Sequence, residues 1–452
     1  MQIRKIRLHD VGRFTDLEVA FAPTEKHASK VTVFVGNNGA GKTTILKSIA
    51  TSFSWLVARI RTERGNGSLI AQDDIANGKP SASIAIDVSA INHPAVFNST
   101  IYSWTIARTL RARKSTVESD LANVTLLADF FRFHLGLVDE RSSLPLIAFY
   151  PVERSVNDVP LKAGKADQPF DQFDGYENSL NGGVDFGRFF QWFREREDSE
   201  NERGISLETL KHFETALHDS EARLISELRD IHIASRDVQL TAVRSAIEAF
   251  MPGFSNLRVQ RKPRLHMAID KSGKTLVVSQ LSQGEKSLLA LVGDIARRLA
   301  IMNPSLENPL HGDGIVLIDE VDLHLHPQWQ RRLIHQLNET FPNCQFILTT
   351  HSPLVISDTK DVLCYVLDDG ELEERDGLYG LDANQVLLSV MDTDVRNSEV
   401  QARLDRLLDL LQDKKLKEAK ALFEELSADL PSGHIELTKA ALLIRKLELR
   451  SA

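Results

Sequence analysis

Apolar and polar positions along this chain change period several times, and each change marks an element. Gln2 to Leu8 alternates Ile3, Ile6 and Leu8 with basic residues, and Leu17 to Phe21 alternates again. The two stretches predict a hairpin with Arg13 and Phe14 at its tip. Val31 to Val35 is an apolar run of buried-strand type, and from Ile45 the apolar residues (Ile45, Leu46, Ile49) take helical spacing. Ser81 to Ala90 and Ile101 to Leu110 predict two further strands, antiparallel, and Leu144 to Tyr150 a shorter apolar one. Gly, Pro, Asp and Asn then crowd Pro151 to Asn181, a loop-rich boundary. Phe186, Phe189, Phe190 and Phe193 recur at helical spacing and predict a packing face. The charged run REREDSENER after them is expected to be a solvated helix end. Helical text from Ser206 to Phe250 is closed by Pro252 and Gly253.

Strand patterns resume at Leu257–Gln260, Leu265–Asp270 and Thr275–Ser279, followed by an amphipathic helix from Ser287 to Ile301. Gly314–Asp319 and Cys344–Thr350 are largely apolar, as strands buried on both faces are, with a helix from Gln328 to Phe341 between them. Val362–Leu367 and Glu371–Arg375 predict a last hairpin turning at Asp368–Gly370. Strands alternating with helices predict an α/β core. The text from Gly380 onward is helical, with one apolar stripe at Val400, Leu404, Leu407, Leu408 and Leu411. A second stripe runs through Leu416, Ala419, Leu422, Phe423 and Leu426, and a third lies within Leu437–Leu449. A docking or oligomerisation appendix and a plain helical cap are both open readings of this tail. The expected organisation is thus a first head segment, 1–150, a loop-rich and helical insert, 151–256, a second head segment, 257–379, and a tail, 380–452.

Composition narrows this little. The 452 residues suffice for two or three structural units, and a net charge of −9 argues against a chain that wraps nucleic acid over its whole surface. Cys344 and Cys364 are the only cysteines, so no disulfide framework is expected and a reducing compartment is. With neither a signal-peptide core nor a bilayer-spanning run, the expected setting is cytoplasmic, away from any membrane.

The chemistry begins between the strand at Val31 and the helix at Ile45. Gly36 to Thr43 fits G-x-x-x-x-G-K-S/T, the phosphate-binding loop. Gly36, Gly39 and Gly41 let the backbone curl so that successive N–H groups converge on phosphate oxygens. The following helix aims its positive end at the same anion. Lys42 is expected to neutralise the β- and γ-phosphates, and the Thr43 hydroxyl to ligate magnesium. ATP and Mg2+ are the expected cofactors.

Three further stretches say which kind of nucleotide machine this is. LSQGEKS, Leu281–Ser287, places a Ser and a Gly at a helix N-terminus, a second anion site. One chain with one γ-phosphate and two anion sites is most economically read as half of a head-to-tail pair. IVLIDE, Ile315–Glu320, ends a buried strand in two carboxylates: Asp319 for the magnesium shell, Glu320 to orient or deprotonate the attacking water. LTTHS, Leu348–Ser352, ends another such strand in His351, within reach of γ-phosphate and water.

The order GNNGAGKTT, LSQGEKS, LIDEVDLHLHP, TTHSP resembles the ABC-type ATPases of the SMC and RecF kind, over most of Met1 to about Arg375. EVDLHLHPQWQ followed by FPNCQFILTTHSP resembles the branch of anti-phage defence ATPases that includes PtuA of Septu and retron-linked systems. The resemblance implies a P-loop ATPase head with a two-lobed mixed sheet, a helical insert and a helical appendix. It implies ATP contacts from Arg13 and from Gly36, Asn37, Asn38, Gly39, Ala40, Gly41, Lys42, Thr43 and Thr44. Magnesium would be held by Thr43 and Asp319, with Glu320 on the water and His351 as the switch histidine. Ser282, Gln283, Gly284 and Glu285 would be the signature offered in trans, and Asp322 would lie at the dimer seam. The implied function is a regulatory ATPase that dimerises or assembles further through its heads and controls a separate nuclease or toxin. In PtuA-like systems that partner is an HNH endonuclease, PtuB.

Some features depart from that pattern or point elsewhere. Transporter-like relatives place a glutamine at the end of the strand before the insert; here that strand runs into PVERS, with Glu153 and Arg154, and Gln72 and Gln168 are the candidate substitutes. Turnover is therefore expected to be slow or tied to a partner. His324 and His326, spaced H-x-H, lack a third convergent ligand and are expected to be structural. Asp368 and Asp369 suggest a TOPRIM-type nuclease, but helical text follows them, so no nuclease centre is expected in this chain. Arg108, Arg111, Arg113, Lys114 and Arg258, Arg261, Lys262, Arg264 form two basic clusters. Either can line a nucleic-acid groove, the basis of the alternative reading as a RecF-like repair ATPase; solvated loops are the plainer account.

Overall fold

The computed structural model describes residues 1–93, 96–110, 117–135, 142–152, 170–203, 235–391 and 396–451. Expectations for Arg111, Arg113, Lys114, Glu153, Arg154, Gln168 and the helical text before residue 235 fall outside them. The described chain forms two compact units, Met1–Leu381 and Asp382–Ala452.

In the first unit, strands β1 (Gln2–Val11) and β2 (Phe14–Ala20) form the expected hairpin, with Gly12 and Arg13 at the turn. β3 (Val31–Gly36) runs into the glycine-rich loop and helix α1 (Lys42–Arg61). β4 (Ser81–His93) and β5 (Val96–Thr109) pair antiparallel and extend the hairpin into a four-stranded sheet, β2-β1-β4-β5. Helix α2 (Ala122–Phe133) packs on α1 and β5 and was not expected. Its inward face is only Val124, Leu127 and Ala128, while Leu126 and Phe133 are exposed, so its apolar residues do not form a clean stripe.

β6 (Leu146–Tyr150) precedes α3 (Phe186–Arg203) and α4 (Val238–Phe250). β7 (Phe254–Gln260), β8 (His266–Lys271) and β9 (Lys274–Val277) form a three-stranded antiparallel sheet. Then come α5 (Gln283–Met302), β10 (Gly314–Ile318), α6 (Pro327–Thr340), β11 (Cys344–Thr350) and α7 (Pro353–Ser357). β12 (Leu363–Asp368) and β13 (Glu371–Arg375) complete the unit.

The core sheet has the order β13-β12-β3-β11-β10-β6, parallel throughout except for β13 at its edge. β3, β6, β10 and β11 are buried almost end to end, which is why they read as continuous apolar runs, and α1 lies across all four. Because the strands are parallel and in register, Gly36, Tyr150, Ile318 and Thr350 finish on one edge. The hairpin sheet is stapled to this core by buried side chains, among them Tyr365 of β12, whose hydroxyl donates to Ala20 O at 3.0 Å, and Gln345 of β11. Gln345 accepts from Ile3 N at 2.7 Å and donates to Ile3 O at 2.9 Å and Ala22 O at 2.6 Å.

Two polar patterns behave differently from expectation. α5 begins at Gln283, four residues before its predicted start, and is buried continuously from Ser287 to Met302 rather than amphipathic. Its polar residues face inward as a sealed cluster. Asp294 accepts from Arg297 Nη2 at 2.7 Å, Arg298 Nε at 2.6 Å and the Tyr150 hydroxyl at 3.0 Å. Burial alone would raise the Asp294 pKa, but the two guanidiniums beside it hold it below the usual carboxylate value. Arg298 Nη1 continues to the carbonyls of Gly175 and Glu177 at 2.7 and 2.9 Å.

Nor is the charged run after the phenylalanines solvated throughout. Phe186, Phe189, Phe190 and Phe193 are buried, and Gly293 of α5 leaves room for the Phe189 ring. One turn on, Glu197 is buried too, accepting from Val259 N at 3.0 Å and pairing with Arg244 at 3.0 Å. Arg244 also reaches Glu200 at 2.8 Å, so α3, α4 and β7 are joined by ions the pattern had placed in water.

The second unit contains α8 (Ala383–Ser389), α9 (Ser398–Gln412), α10 (Leu416–Asp429) and α11 (Ile435–Ser451). The last three close on Leu404, Leu407, Leu411, Ala419, Leu426, Leu437, Ala440 and Ile444, inward residues of the three stripes.

Asp294→Ala leaves two buried guanidiniums uncompensated and is expected to cost about 3–5 kcal/mol. Urea unfolding of the full chain, followed through the first unit's tryptophans, measures it; an unchanged transition would show the cluster to be dispensable.

Candidate functional site

The glycine-rich loop leaves β3 at its carboxyl end and enters α1 at Gly41, which caps the helix at φ +108°. A Cβ there would sit 2.5 Å from the Phe14 ring, so only glycine lets the hairpin tip close on the loop. Arg13 completes the closure, donating to Gly39 O at 2.5 Å and to Asp369 Oδ1 at 2.8 Å. Asn37, Asn38 and Gly39 are exposed, and Ala40 is buried. Thr44 lies beneath Gly12 of the hairpin turn. Lys42 is a buried residue, 6% exposed, and its ammonium donates to the carbonyls of Gly36 and Asn37 at 2.6 and 3.1 Å.

The adjoining strand ends meet it. The Thr43 hydroxyl donates to Asp319 Oδ2 at 2.7 Å, and the Thr349 hydroxyl donates to Asp319 Oδ1 at 2.5 Å. Thr349 Oγ1 in turn accepts from Glu320 N at 2.7 Å. Thr349, absent from the sequence-derived site, therefore joins the two carboxylate residues; its signal was its place two residues before His351, on the same strand face. Glu320 has φ +45° and His324 φ +63°, conformations unusual for residues with side chains, so the segment between them is tightly turned. Asp322, expected at a dimer seam, accepts within this chain from the Thr350 hydroxyl and from His351 N at 3.3 Å. Gln330 also escaped the sequence analysis. It accepts from the Ser352 hydroxyl at 2.8 Å and donates to Leu325 O at 3.0 Å, stitching this segment to the end of β11.

The electrostatics suit a divalent cation with a polyphosphate. Burial lowers the Lys42 pKa, opposed by Asp319, Glu320 and Asp322, so three carboxylates face one ammonium. That surplus negative charge, with a hydroxyl and carboxylate oxygens as donors, matches a hard cation such as Mg2+. Burial and then Lys42 lower the His351 pKa, against the pull of the same carboxylates, keeping the imidazole neutral near pH 7.

Ser282 and Gln283 stand exposed at the start of α5. Ser282 is the N-cap, its backbone N–H donating to Glu285 Oε2 at 2.8 Å in a capping box, and Lys271 donates to Glu285 Oε1 at 2.6 Å. Gly284 has a second task. A Cβ on it would lie 2.2 Å from His324 O, so the signature helix and the turn after Glu320 touch backbone to backbone there.

The remaining candidates are placed as follows. Gln72 is exposed on a 3-10 turn, Gln72–Asp74, whose Asp74 carbonyl accepts from Gly12 N at 2.6 Å. His326 caps α6, accepting from Gln328 N at 3.3 Å, a structural role. Arg258 pairs with Asp270 at 3.0 Å and Arg261 with Asp198, and Arg108 donates to Ile70 O, so each has a partner inside the chain. Cys344 and Cys364 are buried free thiols, each pushed up to about 12 by burial. Among the described residues no helix is long and apolar enough to cross a membrane.

Residues 31–357 match a family model described as "AAA domain, putative AbiEii toxin, Type IV TA system", and residues 1–56 a second AAA-domain model. The "Retron Ec83 probable ATPase" of Escherichia coli is 34% identical over 92% of this chain and 80% of its own length. Septu protein PtuA of Bacillus thuringiensis is 22% identical over 92% of each chain. A solved SMC head bound to the C-winged helix domain of ScpA aligns with 83% of this chain and 97% of its own, at 16% identity and a TM-score of 0.44.

Gly284→Ala forces α5 and the His324 carbonyl apart. It is expected to cost about 1–3 kcal/mol and to lower nucleotide turnover, both measurable on the full chain; wild-type values for both would refute the close-contact argument.

Proposed function

We propose that this chain, which belongs to the AAA-domain ATPase family of the retron ATPases, binds MgATP between two copies of itself and uses that closure to control a separate defence effector. The observation that carries the reading is the Thr43–Asp319 hydrogen bond, which brings the phosphate loop and the strand-end carboxylates into one site. Lys42 neutralises phosphate charge while the loop N–H groups hold the oxygens. Thr43 and Asp319 hold the magnesium, which supplies charge neutralisation for the transferred phosphoryl group. Glu320 orients the attacking water and takes its proton, and neutral His351 hydrogen-bonds near the γ-phosphate.

The second copy contributes Ser282. Its hydroxyl oxygen accepts from its own helix, at 3.4 Å from Glu285 N, which leaves the O–H to donate to an incoming anion. Gln283 is exposed beside it. Dimer closure is coupled to nucleotide because each site is complete only with the partner's signature. The tail unit holds a separate nuclease or toxin, an HNH endonuclease in the Septu manner. Occupancy is enough to bias such an assembly: nucleotide at about 100 times its dissociation constant stabilises the bound form by roughly 2.7 kcal/mol.

Lys42→Ala is expected to abolish nucleotide binding, read by fluorescent-nucleotide titration. Glu320→Gln is expected to retain binding, slow phosphate release at least about 100-fold, and accumulate an ATP-bound dimer by light scattering. Adding Ser282→Arg to that variant should abolish the dimer. Normal turnover by Glu320→Gln would remove its water-activating role, and a dimer indifferent to Ser282→Arg would remove the shared site.

A further inference from the structure

Helix α11 has two apolar faces, and only one is used. Leu437, Ala440 and Ile444 pack into the core of the tail unit. Ile435, Leu442 and Leu449 do not; they are 68%, 66% and 76% exposed. The three are spaced seven residues apart, and at about 100° per residue they fall within roughly 20° of a single line. Lys439 and Lys446 flank that line on one side, about 40–60° away, and Thr438 and Arg445 on the other. All four flanking residues are exposed. Glu436 and Glu448 sit further round, where they pair with Lys439 and Lys420. Arg445 and Lys446 have no acidic partner among the described residues. Leu443, at 41% exposure, lies beyond the lysine flank.

A ridge one side chain wide, repeating at seven residues and bordered by basic residues, is an apolar line that a second helix can cover while its own charges meet the borders. We infer that it is the docking surface for an amphipathic helix of a different protein, one whose apolar stripe is bordered by Asp and Glu. This deepens, and rests on, the reading of the tail unit as the part that holds the effector.

Charge decides among occupants. Two copies of α11 in parallel would set Lys439 and Lys446 against Arg445 of the other copy, and in antiparallel would set Lys439 against Lys446; both repel. A lipid surface would take the basic flanks but calls for an apolar arc of at least about 100°. Here lysine, threonine and arginine interrupt the arc within roughly 60° of its centre. An acidic helix satisfies both the ridge and its borders.

The test uses the full chain and two synthetic three-heptad peptides with Leu at the seam, bordered by Glu in one and by Lys in the other. Anisotropy should show binding of the acidic peptide, weakened at least about tenfold by Leu442→Asp and, separately, by Leu449→Asp. The double variant Lys439→Glu, Lys446→Glu should transfer the preference to the basic peptide. Nucleotide binding and turnover, read on the same variants, should remain at wild-type levels, so that loss of docking is distinguishable from loss of the ATPase reading. The inference is overturned if neither peptide binds, if both bind alike, or if the ridge variants have no effect. It is equally overturned if Leu442→Asp instead abolishes self-association of the chain or its binding to vesicles of phosphatidylserine and phosphatidylcholine.

Discussion

The first unit depends on one geometric constraint: parallel strands in register must end together. β3, β11, β10 and β6 run side by side in one direction, so Gly36, Thr350, Ile318 and Tyr150 finish on a common edge. The segments that leave these strand ends are therefore forced close to one another. The phosphate loop, the Asp319–Glu320 pair and His351 belong to segments far apart in sequence and adjacent in space. Thr43 and Thr349 convert that adjacency into fixed distances, one hydroxyl on each oxygen of Asp319. Such bonds hold the acidic groups near a buried ammonium at a spacing that neither the loop nor the strand could impose alone.

The same edge is tied to α5. Asp319 N donates to Tyr150 O at 2.9 Å, and the Tyr150 hydroxyl donates to Asp294 inside the helix that begins at the exposed Ser282. Burial and then Asp294 raise the Tyr150 pKa well above its ordinary value, so the phenol stays a donor. Two contacts therefore join α5 to the strand-end carboxylates, one sealed in the core at Tyr150 and one where Gly284 meets His324. A helix attached at both places cannot shift its N-terminus without straining one of them.

Much of this was legible in the sequence because the local signals agreed with the global fold. The phosphate loop lies between a buried strand and a helix, as its chemistry demands, and β11 has the bounds its apolar run predicted. Where reading failed, it failed on polar residues whose partners lie far along the chain. Asp294, Arg297 and Arg298 gave α5 the look of an amphipathic helix, because periodicity records polarity and cannot tell water from a buried counter-ion. Glu197 misled in the same way, its partners Arg244 and Val259 being on other elements. Thr349 and Gln330 were passed over because a hydroxyl or an amide acquires a role only from what stands opposite it. Helix α2 was missed for another reason: its outward Leu126 and Phe133 blur the contrast between faces on which the pattern depends.

The division into two units separates two kinds of demand. A nucleotide site needs its groups fixed to within a fraction of an ångström, and the first unit holds its strand-end groups with side-chain hydrogen bonds, capping and buried ion pairs. A surface that recognises another chain needs exposed apolar side chains, which offer a phosphate or a water no hydrogen bond. In this chain a line of such side chains lies in the second unit, on α11. The tail's own core needs only one face of each helix, so the outward face of α11 is free to carry a charge pattern chosen for a partner rather than for folding. Stability and recognition are then set by different residues of one helix, Leu437, Ala440 and Ile444 for the first and Ile435, Leu442 and Leu449 for the second.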